Sequence, residues 1–272
     1  MPELPEVVVT LQGVLPHILG KKISHITIRN PNLRWPVPRD LSKKLSGRKL
    51  ESARQRSKYM LFKFSHGHMM IHLGMSGNLK VLPNGASPEK HDHVDIYFDG
   101  KIILRFSDPR RFGSILWVDG IPERHKLLKN LGPEPFSPEF SAAHLYSLSR
   151  GRTVTIKQFL MDNKNLVGVG NIYANEVLFL SGINPKRAAG RISLSSYDNL
   201  ASNVINVLTK AIKQGGTTLQ DFSGNEGKSG YFRQELYVYG RGGKPCLKCK
   251  KPLKEIKLGQ RSSVYCSACQ KY

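Results

Sequence analysis

The chain begins Met-Pro-Glu, which places a potential nucleophile among its first residues. Removal of Met1 would give Pro2 a free secondary amine, with Glu3 and Glu6 close by in the sequence. An α-amino group has an unperturbed pKa of roughly 7.7–8, so a useful fraction of it is uncharged at neutral pH. Such an amine can attack a carbonyl-like carbon and form a Schiff base. The alternative is that Pro2 and Pro5 only stiffen the end of the chain.

The only four cysteines of the chain form a second group with recognisable chemistry. Cys246 and Cys249 make one C-x2-C pair, and Cys266 and Cys269 make another after sixteen intervening residues. This spacing is typical of a zinc ribbon. Two disulfides are the alternative, but they suit a reducing compartment poorly. Because four thiolates complete a tetrahedron, we predict one structural Zn²⁺ with no open coordination position.

The charge of the chain indicates a polyanionic partner. Its 42 Lys and Arg residues outnumber 20 Asp and Glu residues, which gives a net charge of +22. Such an excess attracts nucleic acid by long-range electrostatics and counterion release. An anionic membrane would attract it too, but no basic anchor helix with a broad apolar face is evident. No apolar run reaches the roughly 18 residues of a membrane span, and no signal peptide is evident, so we expect a cytoplasmic protein.

The elements that must position these groups are mainly strands in the first half of the chain. Residues 5–18 have helical spacing, although Pro16 should bend or end that helix. YMLFKF and MMIHLGM flank the short link SHGH, HVDIYF and KIILRF flank an Asp-Gly turn, and SILWV follows. Alternation and turn signals of this kind predict antiparallel strands. We therefore predict a mostly antiparallel β-sandwich led by one helix for residues 1–132.

Helical patterns dominate after a proline-rich stretch at 131–140, which is typical of a linker. One helix is predicted at 195–214, capped by Ser195 and ended by two glycines, and another at 171–182, opened by Asn171. The basic zinc hairpin comes last. The predicted α+β organisation is a catalytic β-sandwich domain (1–132), a linker with the start of the helical domain (133–150), a helical DNA-binding domain (151–235) and a zinc finger (236–272).

Several motifs, in this order, resemble the formamidopyrimidine-DNA glycosylases, and the resemblance covers essentially the whole chain. The motifs are MPELPEV at the start, RSKYM (56–60), IHLGMSG (71–77), KHDHVD (90–95), DPRRFG (108–113), MDN…VGVGNIYANE (161–176), QGGTT…GYF (214–232) and the zinc hairpin. The resemblance implies a β-sandwich joined to a helix-two-turn-helix domain and a zinc finger. It also implies a monomeric, bacterial enzyme of base-excision repair that acts on double-stranded DNA in the cytoplasm, at the nucleoid.

The resemblance implies a role for the N-terminal residues. Pro2 would attack the sugar C1′ of an oxidised purine nucleotide such as 8-oxoguanine or formamidopyrimidine, while Glu3 moves protons and Glu6 lies in the same active site. The base leaves, a Schiff base joins Pro2 to the deoxyribose, and β- then δ-elimination cut the strand. No redox cofactor or catalytic metal is required.

Other residues take their roles from the matching motifs. Lys58 matches the lysine assigned to proton transfer in β-elimination, and Arg261 the residue assigned to δ-elimination, although Arg261 taken alone indicates only a solvated or phosphate-pairing charge. Asn171 can grip a phosphate at a helix N-terminus or act only as an N-cap. The DNA contacts implied by the resemblance are His72, Met75, His91, Arg110, Arg111, Phe112, Arg152 and Asn171.

Met75, Arg110 and Phe112 are predicted to fill the space of an extruded nucleotide. An enzyme that works at C1′ must take the damaged nucleotide out of the stack, and apolar wedges fill such gaps. The guanidinium of Arg110 would face the orphaned cytosine. Without the resemblance, Met75 and Phe112 would be interpreted as ordinary strand-core residues.

Two alternative functions remain open at this level. Endonuclease VIII shares the architecture and prefers oxidised pyrimidines, but its proteins usually begin Met-Pro-Glu-Gly, whereas this chain has Leu4. A non-catalytic DNA-binding or damage-sensing protein is the other alternative, and the Pro2-Glu3 pair argues against it. Val8 stands where the family commonly has a glutamate, which leaves the damage preference open. Residues 226–232 are predicted to form a mobile loop over the pocket.

Overall fold

The computed structural model describes residues 2–216 and 236–271. These residues fall into two compact units. The first contains residues 2–129 together with 215 and 216, and the second contains residues 130–214 and 236–271. The predicted loop at 226–232 and the GYF motif within it lie outside the described residues.

The first unit is a two-sheet structure that starts with the helix α1 (Leu4–Ile18). A short helix, α2 (Leu41–Leu45), follows the first strand. The strands are β1 (Ile23–Ile28), β2 (Ser52–Arg56), β3 (Tyr59–Phe64), β4 (Gly67–His72), β5 (Asn78–Pro83), β6 (Asp92–Phe98), β7 (Ile102–Ser107) and β8 (Ser114–Val118). They form two antiparallel sheets with the orders β1-β6-β7-β5 and β2-β3-β4-β8.

The two sheets share one apolar core, which confirms the predicted β-sandwich. Phe62 and Ile71 come from one sheet, Ile96 and Phe106 from the other, and all four are fully buried in a single cluster. Val14 of α1 is buried in the same cluster. Burying a side chain of this size stabilises the fold by about 1.5–3 kcal/mol. The apolar faces of the two sheets therefore pack against each other.

The structure refines the predicted bounds of individual elements within the first unit. Pro16 lies in the last turn of α1, which ends two residues later at Ile18, so the helix continues past the proline only briefly. The SHGH link is shorter than predicted because Phe64 already pairs with Gly67. Asp99 and Gly100 have φ values of +49° and +66°, the left-handed conformations expected at an Asp-Gly hairpin turn.

The second unit combines four helices with the cysteine-containing hairpin. Its elements are α3 (Ala142–Ser149), α4 (Ile156–Met161), α5 (Asn171–Leu180), α6 (Leu194–Lys213), β9 (Lys254–Leu258) and β10 (Arg261–Tyr265). The helix α6 buries the predicted apolar face, including Leu200, Val204 and Leu208. Its N-cap is Ser193, whose hydroxyl accepts the N–H of Ser196, and not the predicted Ser195.

The helix α5 is unusual because residues 171–179 are all buried. Its polar side chains must therefore find partners inside the protein, since a buried unpaired polar group is costly. This helix packs against β10 and so connects the helical part of the unit to the cysteine hairpin. No helix in the described parts of the chain has both the length and the apolar character needed to cross a bilayer.

Candidate functional site

The first residues of the chain are held by reciprocal hydrogen bonds between Glu3 and Glu6. Glu3 is the N-cap of α1, and its carboxylate accepts the backbone N–H of Glu6. The Oε2 of Glu6 accepts the backbone N–H of Glu3 at 2.8 Å. This capping box satisfies two amides that the first helical turn leaves without partners. Both side chains are at most 1% exposed, so two carboxylates lie fixed directly after the half-buried Pro2.

A glycine closes one side of the Glu6 carboxylate. Gly216 has a φ of +77°, and a Cβ built on it would lie 3.1 Å from Glu6 Oε1. A side chain at this position would therefore strain the backbone and press on the carboxylate. Gly216, which the sequence indicated as part of a helix end and of the QGGTT motif, thus also leaves room for an active-site candidate.

Lys58 lies at the tip of the hairpin between β2 and β3. Arg56 pairs with Tyr59, so Ser57 and Lys58 form a two-residue turn. Ser57 has a φ of +54° and is buried, although L-residues rarely adopt this conformation. Such backbone outliers cluster at functional sites. This one fixes the path of the chain immediately before Lys58.

His72, at the end of β4, is a neutral histidine with a defined tautomer. The backbone N–H of Gly74 donates to its Nδ1 at 2.9 Å, which leaves the ring proton on Nε2. Burial, followed by the positive charges of Lys58 and Arg34, lowers the pKa of His72 to about 4. The Tyr59 ring packs on the imidazole with 4.6 Å between ring centroids. His72 can therefore offer an uncharged N–H donor at neutral pH.

Met75, Arg110 and Phe112 lie in turns and not within strands, so the strand-core interpretation of Met75 and Phe112 is wrong. Met75 follows β4, and the other two lie between β7 and β8. Phe112 is 40% exposed, and the Arg110 guanidinium carbon lies 4.8 Å from its ring centroid. Arg111, between them, is exposed and has a φ of +57°. His91 is exposed just before β6.

In the second unit, Asn171 is the first residue of α5, and its N-cap is Gly170. The N-cap interpretation of Asn171 is therefore wrong. Its side-chain oxygen is buried and has no hydrogen-bond partner among the described residues. A buried acceptor without a partner costs about 1–3 kcal/mol, so stability of the free protein does not explain this side chain. Asn171 also lies where a helix N-terminus favours anions.

Arg261 is the first residue of β10 and follows directly on the turn at the tip of the hairpin. Leu258 pairs with Arg261, and Gly259 and Gln260 form a two-residue turn with φ values of +52° and +62°. Two positive values are typical of a type I′ turn, which matches the twist of the flanking strands. Glycine is favoured at 259 because its φ is positive, and a Cβ there would also displace the Gln158 side-chain amide, whose Nε2 would lie 2.7 Å away.

Buried polar side chains that the sequence analysis missed hold this hairpin on the helices. Lys157 is 1% exposed, and its Nζ donates to the Ser262 carbonyl at 2.5 Å and to the Ser263 hydroxyl at 2.7 Å. The Oδ1 of Asn175 accepts the backbone N–H of Val264 at 2.8 Å. A lysine in the mostly apolar helix α4 was the only hint in the sequence that this side chain is buried. Its partner could not be predicted, because it lies about a hundred residues away in the chain.

Glu176 fixes the segment that leads into the cysteine hairpin. Its carboxylate accepts the backbone N–H groups of Tyr237, Val238 and Tyr239 at 2.8–3.0 Å. Burial raises the pKa of Glu176, although these three hydrogen bonds oppose that rise. Arg152, a further candidate, is exposed in a turn after α3, where its carbonyl accepts the Gly190 N–H at 3.0 Å.

The four cysteines form a closed metal-binding cluster. All four Sγ atoms lie within 4.8 Å of one another, with 3.9 Å between Cys246 and Cys269 and 3.4 Å between Cys249 and Cys266. A tetrahedral Zn²⁺ with Zn–S bonds of about 2.3 Å separates its sulfurs by about 3.8 Å. The separations fit zinc and exceed the roughly 2.05 Å of a disulfide. The cluster therefore fits one structural Zn²⁺ bound by four thiolates.

Comparison with protein families supports this description over most of the chain. The formamidopyrimidine-DNA glycosylase N-terminal domain matches residues 1–115, and the H2TH domain of the same glycosylases matches residues 131–223. A zinc finger found in FPG and IleRS matches residues 243–271.

Individual proteins are similar over the whole chain. The formamidopyrimidine-DNA glycosylase of Saccharophagus degradans is 53% identical over all of both chains, and that of Cellvibrio japonicus is 54% identical over 99% of this chain and all of its own. Two Lactococcus lactis Fpg structures, in complexes with Fapy-dG-containing DNA and with abasic-site DNA, have TM-scores of 0.89 and 0.91. Each is 32% identical and covers 99% of this chain and 100% of its own. The chain thus belongs to the formamidopyrimidine-DNA glycosylase family.

Proposed function

We propose that this protein removes oxidised purines, including formamidopyrimidines and 8-oxoguanine, from duplex DNA and then cuts the strand as an AP lyase. The observation that carries the proposal is the reciprocal hydrogen bonding of Glu3 and Glu6 directly after Pro2. It holds two buried carboxylates beside the one amine of the chain that is a secondary amine after loss of Met1. Buried carboxylates next to an amine provide the acid-base groups that Schiff-base chemistry requires.

In the proposed reaction, the Pro2 nitrogen forms a bond to the sugar C1′ and the bond from C1′ to the damaged base breaks. The base leaves with a proton, and Glu3 carries protons between the leaving base, the sugar and the amine. Opening of the sugar gives an iminium ion. Its positive charge acidifies the C2′ proton, so loss of that proton expels the 3′ phosphate. A second elimination expels the 5′ phosphate and leaves a gap with phosphates on both sides.

In this proposal, the basic candidate residues bind phosphates of the DNA. Lys58 and Arg261 would each pair with a phosphate, and such pairing would stabilise the phosphate that leaves in each elimination step. Asn171 would contact a phosphate at the N-terminus of α5. His72, His91, Arg111 and Arg152 are further proposed DNA contacts, and the exposure of the last three supports this role.

Met75, Arg110 and Phe112 are proposed to occupy the space of the extruded nucleotide. The exposed, stacked pair Arg110–Phe112 supports this role, because a planar cation on an aromatic ring presents a flat surface to neighbouring bases. Extruding a base costs a few kcal/mol, and filling the gap recovers part of that. Phe112→Ala should therefore impair excision of 8-oxoguanine more than cleavage at an abasic site, where no base pair must open.

The zinc cluster has a structural role in this proposal, since its four thiolates leave no position for water or substrate. The proposal further includes action as a monomer in the bacterial cytoplasm at the nucleoid. The predicted domains at 1–132, 133–150, 151–235 and 236–272 remain predictions. The Lactococcus lactis complexes with damaged DNA support the same substrate class for this chain.

Borohydride trapping tests the proposal directly. Mature protein is mixed with duplexes carrying formamidopyrimidine, 8-oxoguanine or dihydrouracil opposite each normal base, and the trapped adduct is located by mass spectrometry. We expect the sugar on Pro2 and faster reaction with the purine lesions. A sugar on a lysine, together with full activity of Pro2→Gly, would refute the nucleophile. Faster reaction with dihydrouracil would favour the pyrimidine-type alternative, and absence of any adduct a non-catalytic protein.

A further inference from the structure

Two turns of the first unit are joined through one buried carboxylate. The 73–77 turn carries Met75, and the 108–113 turn carries the stacked Arg110–Phe112 pair. Asp108 is fully buried, and its Oδ1 accepts the hydroxyl of Ser76, in the other turn, at 2.6 Å.

The same carboxylate closes its own turn. Its Oδ2 accepts the Gly113 N–H at 2.8 Å, and its Oδ1 accepts the Arg110 N–H at 3.3 Å. The Asp108 carbonyl accepts the Arg111 N–H at 3.2 Å. Arg111 has a φ of +57°, a sparsely populated region for L-residues. Hydrogen bonds to Asp108 therefore support a backbone conformation that the local sequence disfavours.

The two turns also touch backbone to backbone. Gly74 has a φ of +64°, and a Cβ built on it would lie 2.4 Å from the backbone of Phe112 and Gly113. A Cβ on Gly113 would lie 2.7 Å from the His72 carbonyl. Glycine at both positions permits an approach that any other residue would prevent. Neither turn can shift without disturbing the other.

We infer that Asp108 is a positioning residue, which acts through Ser76 to hold Met75, Arg110 and Phe112 in one arrangement before DNA binds. The inference rests on the proposed function, because the role of these three side chains in DNA belongs to it. Groups held in place in advance lose less conformational freedom when they bind. This smaller loss of conformational freedom favours the step in which a base is extruded, and it does not affect the chemistry at C1′.

The test removes the Ser76 hydroxyl, which donates to Asp108 and accepts the Arg110 N–H at 3.2 Å, and leaves Asp108 and the backbone contacts between the turns in place. In Ser76→Ala, single-turnover excision of 8-oxoguanine opposite cytosine should fall about tenfold, the effect of one lost hydrogen bond to a carboxylate. Cleavage of a pre-formed abasic duplex should change by less than about twofold. Ser76→Thr keeps the hydroxyl and should restore excision. Ser52→Ala, an exposed serine of β2, is the matched control.

Amide hydrogen exchange provides a readout that does not depend on activity. The amide of Gly113 donates to Asp108 and should exchange about tenfold faster in Ser76→Ala than in Ser52→Ala, since its acceptor is less restrained. The Arg110 amide is not used as a readout, because it also donates to the Ser76 hydroxyl oxygen at 3.2 Å and would lose that acceptor directly. Unchanged exchange, or equal losses on the 8-oxoguanine and abasic duplexes, would overturn the inference. If the unaltered protein acted on neither duplex, the proposed function would fail, and the exchange rates would still decide whether Asp108 couples the turns.

Discussion

Glu3 and Glu6 each accept the other's backbone N–H, so the carboxylates that follow Pro2 are fixed by the start of α1 itself. The first turn of a helix has amides without partners and a partial positive charge, both of which favour carboxylates. The helix therefore does two things at once. It orders the N-terminus, which is frayed in most chains, and it fixes two carboxylates directly after Pro2.

Glu6 variants should separate these two contributions. Glu6→Ala removes the acceptor for the Glu3 N–H and should destabilise the protein by about 1 kcal/mol, the usual cost of a lost cap. Glu6→Gln keeps an acceptor and should retain most of that stability. Thermal unfolding measures the difference, and borohydride trapping measures activity. If both variants unfolded at the same temperature, the Glu6 side chain would not be an important cap.

The backbone before Lys58 leads to a second prediction. Ser57→Ala and Ser57→Gly both remove the hydroxyl, so the hydroxyl does not contribute to their difference, which tests the left-handed φ of +54°. The glycine variant should be more stable by about 1 kcal/mol, because the left-handed conformation costs a residue with a Cβ about that much free energy. Chemical denaturation checks this value. Equal stability of the two variants would show that the turn relaxes and does not constrain Lys58.

The sequence predicted the sandwich because its strands alternate and its turns carry clear signals such as Asp99-Gly100. It did not predict β2 (Ser52–Arg56), in which only Ala53 is apolar and no residue is fully buried, since such a strand has too little apolar surface to reveal it. The helix α5 was predicted, but its N-cap is Gly170 and not Asn171, which comes one residue later. Glycine lacks the side-chain oxygen by which caps are usually recognised.

The candidate site was predictable where a motif is local in the chain and unpredictable where partners are distant. Pro2, Glu3 and the cysteines could be found from spacing. Lys157 could not, because its role depends on Ser262 and Ser263, on another element of the same unit. Asp108 was present within a recognised motif, yet only the three-dimensional structure shows that its carboxylate reaches Ser76.

Removal of zinc should weaken DNA binding and leave the N-terminal Pro2 segment intact. Cys246 and Cys266 are buried in a small apolar cluster with Phe179 and Val264, so loss of the metal should unfold this hairpin. Cys249→Ser should therefore release the one bound zinc, measured by atomic absorption, and weaken DNA binding, measured by fluorescence anisotropy. Metal-free protein that bound damaged DNA with unchanged affinity would contradict this role.

The low pKa of His72 predicts how stability responds to acid. Its value of about 4 lies below the usual value near 6.5, so the unfolded chain binds the proton more tightly. Its contribution to stability is fully present above about pH 6.5 and is lost as the pH falls toward 4. An NMR titration of the His72 ring, assigned with His72→Ala, should show no transition above about pH 5. A midpoint near 6.5 would contradict the neutral assignment.

Because Lys58 is charged and His72 is neutral, the two residues should contribute differently to the salt dependence of DNA binding. Each neutralised phosphate releases counterions and contributes about 0.9 to the slope of log K against log salt concentration. Lys58→Ala should therefore weaken binding to damaged duplex and flatten the slope by about one unit. His72→Ala should weaken binding as well, because a neutral Nε2–H donor to a phosphate is lost, but it should leave the slope unchanged.

The measurement is fluorescence anisotropy at pH 7 over a range of KCl concentrations, with Ser52→Ala as the control for both variants. A flatter slope in His72→Ala would mean that the imidazole binds phosphate as a cation, and an unchanged slope in Lys58→Ala would mean that this ammonium contacts no phosphate.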